Sequence, residues 1–326
     1  MQAIQPSTVR KFYESLNKSQ TQSPLLLLHD NGGLDNPIYE PTVNRPGLAL
    51  AGFTKHFAFR RIQAFGRAEI AFFQSLSNRQ QDECCQKLFR YKIPCLIFCR
   101  NITPPEKLLK AAKLAKTPTF STPLVTGSFI NHATHYLDDL FAPRRIETGC
   151  MVDIQGVGIL IKGESGIGKS ECVLALLGKG YCLVSDDVTS LKVDEGNTLL
   201  GNPIDGFGGF MEVRGIGLIN VAEMFGIKSI RANKALDLVV TLRKFEDMGC
   251  DIERLGRTQE DIIEILGVKI PHIILPISAG RDTARMVEVA ALSKKLTDYG
   301  REPALDQFSK RLSSKMSKNN SKNNGA

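Results

Sequence analysis

GILIKGESGIGKSECVLALL, residues 158–177, decides the fold of the second half of this chain. Gly158 to Lys162 is a short aliphatic run that reads as a strand, and Lys169 to Leu177 has the apolar spacing of a helix. Between them Gly163, Glu164, Ser165, Gly166, Ile167, Gly168, Lys169 and Ser170 satisfy GxxxxGK[ST] in full, in the strand, loop and helix context that this pattern requires. The physics is that of an anion cradle: glycines let backbone N–H groups converge at a helix N-terminus, where four donors lack partners and the dipole favours negative charge. Lys169 adds a point charge for the β- and γ-phosphates of ATP, and the Ser170 hydroxyl is placed to ligate Mg²⁺.

Upstream, Gly149 to Lys162 (GCMVDIQGVGILIK) predicts two strands about a turn at Gln155 to Gly158. Downstream, Tyr181 to Ser185 (YCLVS) predicts a strand ending in Asp186-Asp187. Carboxylates at the C-terminal end of a strand beside a phosphate-binding loop hold Mg²⁺ or take a proton from an attacking hydroxyl; a plain polar turn is the competing explanation. Phe210 to Val221 (FMEVRGIGLINV) sets Glu212 and Arg214 among apolar residues, where each must face solvent or be paired. The preceding Asp205 to Gly209 (DGFGG) resembles a mobile flap.

The chain has 326 residues, which suggests two domains. At 42% hydrophobic and 23% charged it is too apolar for a wholly disordered chain. Its longest aliphatic run, Val173 to Leu177, falls far short of the roughly 20 residues a membrane-spanning helix needs. The first residues lack the layout of an export signal, and eight scattered cysteines without a CxxC pair predict reduced thiols in the cytoplasm rather than disulfides or a metal site. His132 and His135 can share a helix face, but no third ligand is in sequence reach. The net charge of +8 is concentrated in residues 309–326, a polar basic tail whose composition predicts disorder; this argues against nucleic acid as the partner of the folded part.

Before residue 143 the signals alternate. Ser7 is a candidate N-cap for a helix carrying Val9, Phe12, Tyr13 and Leu16; Leu25 to His29 reads as a buried strand and Arg45 to Phe53 as a further strand. Arg60 to Leu76, Gln80 to Arg90 and Glu106 to Lys116 have helical spacing, and Pro94 to Cys99 is a covered strand. The fold class is therefore α/β, with an N-terminal α/β domain at 1–142, a second domain at 143–308 and the tail at 309–326.

Together GESGIGKSE, Asp186-Asp187 and MEVRGIGLIN resemble the bacterial HPr kinase/phosphorylase family, whose signature is the last segment. The likeness extends to RPGLALAGF, RIQAFGRAE, RLG at Arg254 to Gly256, and PISAGRDTA. It implies a homohexamer whose C-terminal P-loop domain, similar to the nucleotide fold of phosphoenolpyruvate carboxykinases, phosphorylates a serine of the phosphocarrier HPr with ATP. It also implies the reverse reaction, phosphorolysis that releases pyrophosphate. Carried over by position, Lys169 contacts the transferred phosphate, Ser170 and Glu212 hold the metal, Asp187 is the base and, in reverse, the acid, and Arg254 completes the catalytic set. Met211, Glu212, Val213, Arg214, Gly215, Ile216, Gly217, Leu218, Ile219 and Asn220 are linked to phosphorylation, and Leu275, Pro276, Ile277, Ser278, Ala279 and Gly280 to dephosphorylation.

The chain departs from the family at one position. The family's catalytic histidine, in an HG dipeptide twenty-one residues before the P-loop lysine, is Thr148 here, followed by Gly149. A threonine hydroxyl can orient Asp187 but cannot carry a proton at neutral pH, so the resemblance predicts a kinase with weakened phosphorolysis. Two rival readings remain at this stage: a regulator that binds ATP as a signal with little catalysis, favoured by Thr148, and a nucleic-acid-binding NTPase, favoured by the +8 balance.

Overall fold

The computed structural model describes residues 6–18, 24–30, 32–194, 196–204, 208–247, 261–278, 280–302, 307 and 310–311. The chain divides into two compact units, Met1–Ala142 and Pro143–Ala326. In the first, the elements run β1 (Ser7–Thr8), α1 (Val9–Lys18), β2 (Leu26–His29), β3 (Pro37–Ile38), β4 (Val43–Asn44), α2 (Gly47–Leu50), β5 (Ile62–Phe65), α3 (Arg67–Ser75), α4 (Asn78–Phe89), β6 (Leu96–Cys99), α5 (Glu106–Leu114), β7 (Thr119–Thr122) and α6 (Thr126–Phe141). Strands β4 to β7 are parallel, and β2 joins β7 antiparallel, in the order β2-β7-β6-β5-β4. Both sheet faces are covered, which is why β5, β6 and β7 are buried at every position. Phe12, Phe129 and Leu137 from α1 and α6 pack on one face; Phe73, Leu88 and Leu108 from α3, α4 and α5 pack on the other. Each such side chain, fully buried, stabilises the unit by about 1.5–3 kcal/mol.

Four local expectations are corrected. β2 is not buried: it is the edge strand of its sheet, with Leu26 exposed and Leu27 to His29 half-buried. The cap of α1 is Thr8, which directly precedes Val9 and whose Oγ1 accepts from Lys11 N at 3.3 Å; Ser7 lies one residue further out, paired with Ile38. RPGLALAGF is not a strand: Pro46 cannot donate to a ladder, and Gly47–Leu50 coils into α2 with Ala49 and Leu50 inside and Leu48 outside. RIQAFGRAE is two elements, β5 and α3, broken at Gly66, whose N–H donates to the buried Glu69 carboxylate at 2.9 Å. The helical spacing of Ile62, Phe65, Ile70 and Phe73 spans that break, so it reported no single periodicity.

The second unit runs β8 (Arg144–Thr148), β9 (Cys150–Ile154), β10 (Val157–Lys162), α7 (Lys169–Gly178), β11 (Cys182–Ser185), β12 (Val188–Asp194), β13 (Thr198–Pro203), β14 (Phe210–Val213), β15 (Gly217–Asn220), α8 (Val221–Phe225), β16 (Lys234–Ala235), β17 (Leu238–Lys244), β18 (Asp261–Ile265), β19 (Val268–Ile277) and α9 (Thr283–Asp298). A six-stranded sheet, β11-β9-β10-β17-β19-β18, has β10, β17 and β19 parallel at its centre. One face carries α7 and α9, with Val173, Leu176 and Val287 against Ile159, Ile161 and Val240. The other face packs Met151, Leu160 and Val239 on Leu191 and Leu199 of the antiparallel sheet β16-β13-β12-β8. The β9–β10 hairpin the sequence predicts is present, but its turn is the two residues Gln155 and Gly156, both at positive φ, and not Gln155 to Gly158: Val157 and Gly158 already pair with Ile154 and Asp153.

Seven cysteines are free and buried; Cys250 lies outside the described residues. Burial pushes Cys84 up to about 11 and Cys172 to about 12, so at neutral pH they are thiols packed as small hydrophobes. His132 and His135 both lie on α6, and among the described residues no group of three or more His, Cys, Asp or Glu side chains could by itself hold a metal ion. Among the same residues no helix is long and apolar enough to cross a membrane.

Candidate active site

The glycine-rich loop leaves β10 at Lys162 and enters α7 at Lys169. Gly168, the N-cap, sits at φ +101°, a left-handed conformation that a side chain resists, and this sharp entry leaves the first amides of α7 facing the loop. Lys169 is only 8% exposed; its Nζ donates to the carbonyls of Gly163 and Glu164, both at 3.0 Å, so the ammonium is held over the loop's own backbone. Ser170 is half-buried beside it.

Across a polar cleft of about 160 Å³ stand Asp186, Asp187, Glu212 and Arg214. The first two follow β11, whose pairing with β9 shifts register between Leu183 and Ser185. Asp186 is gripped at both oxygens: Oδ1 accepts from the Cys150 thiol at 3.1 Å, and Oδ2 accepts from the Glu212 N–H at 3.0 Å. Burial, with the carboxylate nearby, pushes the Cys150 thiol far above its ordinary range, which keeps it a donor. Asp187 has φ +54°, a conformation costing roughly 1–2 kcal/mol for an L residue. Its carbonyl accepts from Gly149 N at 2.7 Å, which helps to hold that strained turn.

Glu212 and Arg214 come from the β14–β15 hairpin. Met211, Val213 and Ile219 enter the core, so the alternating Glu212 and Leu218 face out. The Arg214 guanidinium lies against Gly166, where an added Cβ would come within 2.9 Å of Nη1. Gly215, Ile216 and Gly217 make the exposed hairpin tip, and Asn220 caps α8 through the N–H groups of Ala222 and Glu223. Thr148, the last residue of β8, is exposed and pairs with Val188, one residue beyond Asp187. Leu275, Pro276 and Ile277 end β19 opposite Leu242, Arg243 and Lys244, on the same carboxyl edge of the parallel strands as the loop; Ser278 and Gly280 follow. Arg254, Ala279, Asp205, Gly206 and Phe207 lie outside the described residues, as do residues 312–326 of the tail.

Lys169, Ser170, Asp187 and Glu212 therefore line one cleft, together with Asp186, Glu171 and Arg214. Reading from sequence missed the Cys150 bond to Asp186 and the Arg214 contact with the loop: the sequence places Cys150 in a strand and says nothing of what its thiol meets, and no local pattern reports a contact between residues 36 apart. A second cavity of about 300 Å³, walled by Val188, Ile204, Phe210, Met211 and Leu218, adjoins the cleft at Asp186 and Glu212.

Comparison with known proteins shows the family of the chain. Residues 139–312 match the family model described as HPr Serine kinase C-terminal domain, and residues 8–137 match HPr Serine kinase N terminus. The HPr kinase/phosphorylase of Chloroherpeton thalassium is 38% identical over 319 residues, 98% of this chain and 93% of the relative. The chain belongs to the HPr serine kinase family. A second family relative, the HPr kinase/phosphorylase of Treponema pallidum (strain Nichols), is 38% identical over 284 residues, 87% of this chain and 88% of its own. A solved structure, the Hpr(Ser) kinase/phosphatase from Coxiella burnetii, is 33% identical and covers 48% of this chain and 93% of that one, at a TM-score of 0.45.

Proposed function

We propose that this family member phosphorylates a serine of HPr with ATP and reverses that step by phosphorolysis. What carries the reading is the meeting of a loop lysine and serine with two aspartates and a glutamate in one cleft. Gly163 to Ser170 hold the phosphates through backbone N–H groups, and Lys169 exchanges its carbonyl partners for phosphate oxygens. Ser170 and Glu212, which line the same cleft, would hold Mg²⁺. The donors fit a hard cation that takes one or two carboxylates and leaves its other positions to phosphate and water; bound there, it supplies neutralisation of the charge on the phosphates.

In the forward direction the serine Oγ attacks the γ-phosphorus, the new O–P bond forms as the bond to the β,γ-bridging oxygen breaks, and Asp187 accepts the serine proton. In reverse, inorganic phosphate attacks the phosphoserine phosphorus, pyrophosphate forms, and Asp187 returns the proton to the departing serine oxygen. Asp186 supports this geometry, Arg254 completes the set, segment 211–220 serves the forward step and 275–280 the reverse. The reading carries with it a homohexamer, a nucleotide fold like that of phosphoenolpyruvate carboxykinases, domains at 1–142 and 143–308 with a basic tail at 309–326, and a cytoplasmic setting. Incubation with HPr, ATP and Mg²⁺, read by mass, should show one phosphate on a serine; added inorganic phosphate should then release pyrophosphate. Intact HPr after the first step would overturn the reading.

A further inference from the structure

The two aspartates after β11 are anchored by consecutive residues of one segment. Gly149 N donates to the Asp187 carbonyl and the Cys150 thiol donates to Asp186 Oδ1. Gly149 is fixed in turn: its carbonyl accepts from Thr189 Oγ1 at 3.0 Å. Thr189 has one hydroxyl hydrogen, spent on Gly149, so the 2.6 Å contact between Ser185 and Thr189 is a bond that Ser185 donates. Ser185, Thr189, Gly149 and Cys150 are buried, Cys150 with no exposed surface, while Asp186 is half-buried at the edge of the cleft, so the thiol approaches it from the core side.

We infer that Cys150 is a positioning residue for phosphoryl transfer, its thiol hydrogen fixing one oxygen of Asp186 so that the carboxylate keeps a single orientation in the cleft. An aspartate's terminal torsion is soft and roughly two-fold, so one donor leaves the group free to swing. Donors on separate oxygens do not. Among the described residues Oδ1 has the thiol and Oδ2 has the Glu212 N–H, so Asp186 ties β9 to the β14–β15 hairpin. Loosening its Cys150 end therefore also loosens the hairpin that presents Glu212. A packing role alone would be served by any apolar residue of similar size, and Cys150 does sit within the core beneath α7. The distinguishing feature is its hydrogen.

The inference rests on the proposed use of Asp186, and the test separates the two. The kcat and the KM for ATP and for HPr are measured on the full chain for wild type, Cys150→Ser, Cys150→Ala, Cys150→Val and Asp186→Asn, with a thermal melt of each. Serine keeps a donor and should hold kcat within about threefold, whereas alanine and valine should each lose about tenfold or more at unchanged KM, the size expected for one hydrogen bond to a charged group. Should alanine fail to fold, valine, which fills the space in a strand, carries the comparison. The opposite order, valine equal to wild type and serine worst, would show a packing role and overturn the inference. A full rate in Asp186→Asn overturns the proposed use of Asp186, and the inference with it. Loss in Asp186→Asn with none in Cys150→Ala and Cys150→Val overturns the inference alone.

Discussion

Asp187 holds a left-handed backbone conformation, φ +54°, which aspartate and asparagine tolerate better than most residues. Asp187→Asn therefore isolates chemistry from shape: the turn and its bond from Gly149 N persist while the basicity goes. The expected result is a fall in the forward kcat of about 10²- to 10⁴-fold with an unchanged melting midpoint, and a loss below about tenfold would move the base role to another residue. Thr148 offers the complementary test. It is exposed and paired with Val188, so a larger imidazole is accommodated there without opening the core. Accepting the serine proton asks only for a carboxylate, but expelling the serine oxygen asks for a stored proton, which a histidine can relay and a threonine cannot. Wild-type phosphorolysis is thus expected to run slower than the kinase step, and Thr148→His to raise the reverse rate more than the forward one across about pH 6 to 8. Equal changes in both directions, from one preparation, would count against a proton-relay role at this position.

At the scale of elements, the site depends on how closely β10 approaches its neighbours. A Cβ at Gly158 would fall 1.9 Å from the Ala235 carbonyl, a backbone atom that cannot swing aside, and Gly158 N is bonded to Asp237 Oδ2 at 2.7 Å. Gly158→Ala should therefore cost about 1–3 kcal/mol or more by strand displacement. Gly178→Ala at the end of α7, where an added Cβ meets nothing, should instead stabilise by about 0.5–1 kcal/mol. Urea midpoints of the two variants read the contrast, and equal midpoints would refute it. The same strand explains what was legible. The 163–170 loop, the turn at Gln155-Gly156 and the covered strand Leu96–Cys99 announce themselves through neighbouring residues alone. Ile62–Phe65 did not, because its burial on both faces comes from a sheet and helices distant in sequence. Strands β12 and β13 mix Thr, Lys, Asn and Asp with apolar residues, since one side of that sheet is less covered, and so carry only a weak alternation. Within the site, Lys169 and Ser170 could be picked from spacing and Asp186-Asp187 only as a pair after a strand, the choice of Asp187 coming from the family resemblance, whereas the Cys150–Asp186 bond exists only once β11 lies beside β9.

At the scale of the molecule, charge and chemistry are separated along the chain. Each unit has its own sheet and cores, and the described cleft residues all belong to the second unit. Of the net +8, Lys310, Arg311, Lys315, Lys318 and Lys322 carry five charges within an acid-free stretch, residues 309–326. The remainder of the chain is close to balance in net charge, and affinity for nucleic acid comes from neutralised phosphates and falls steeply with salt. Any affinity for polyanions should then reside in the tail. Deleting residues 310–326 is expected to abolish salt-dependent retention on duplex DNA measured between about 50 and 200 mM salt, the range over which several phosphate contacts are lost. The forward kcat with HPr should be unchanged, because the described cleft is built from residues 165–214, and neither Lys310 nor Arg311 lines it. Retention that survives the deletion with the same salt slope would locate a basic surface on the folded units instead. A fall in kcat would give the tail a part in presenting HPr, whose approach to Asp187 would then depend on charge as well as on the shape of the cleft.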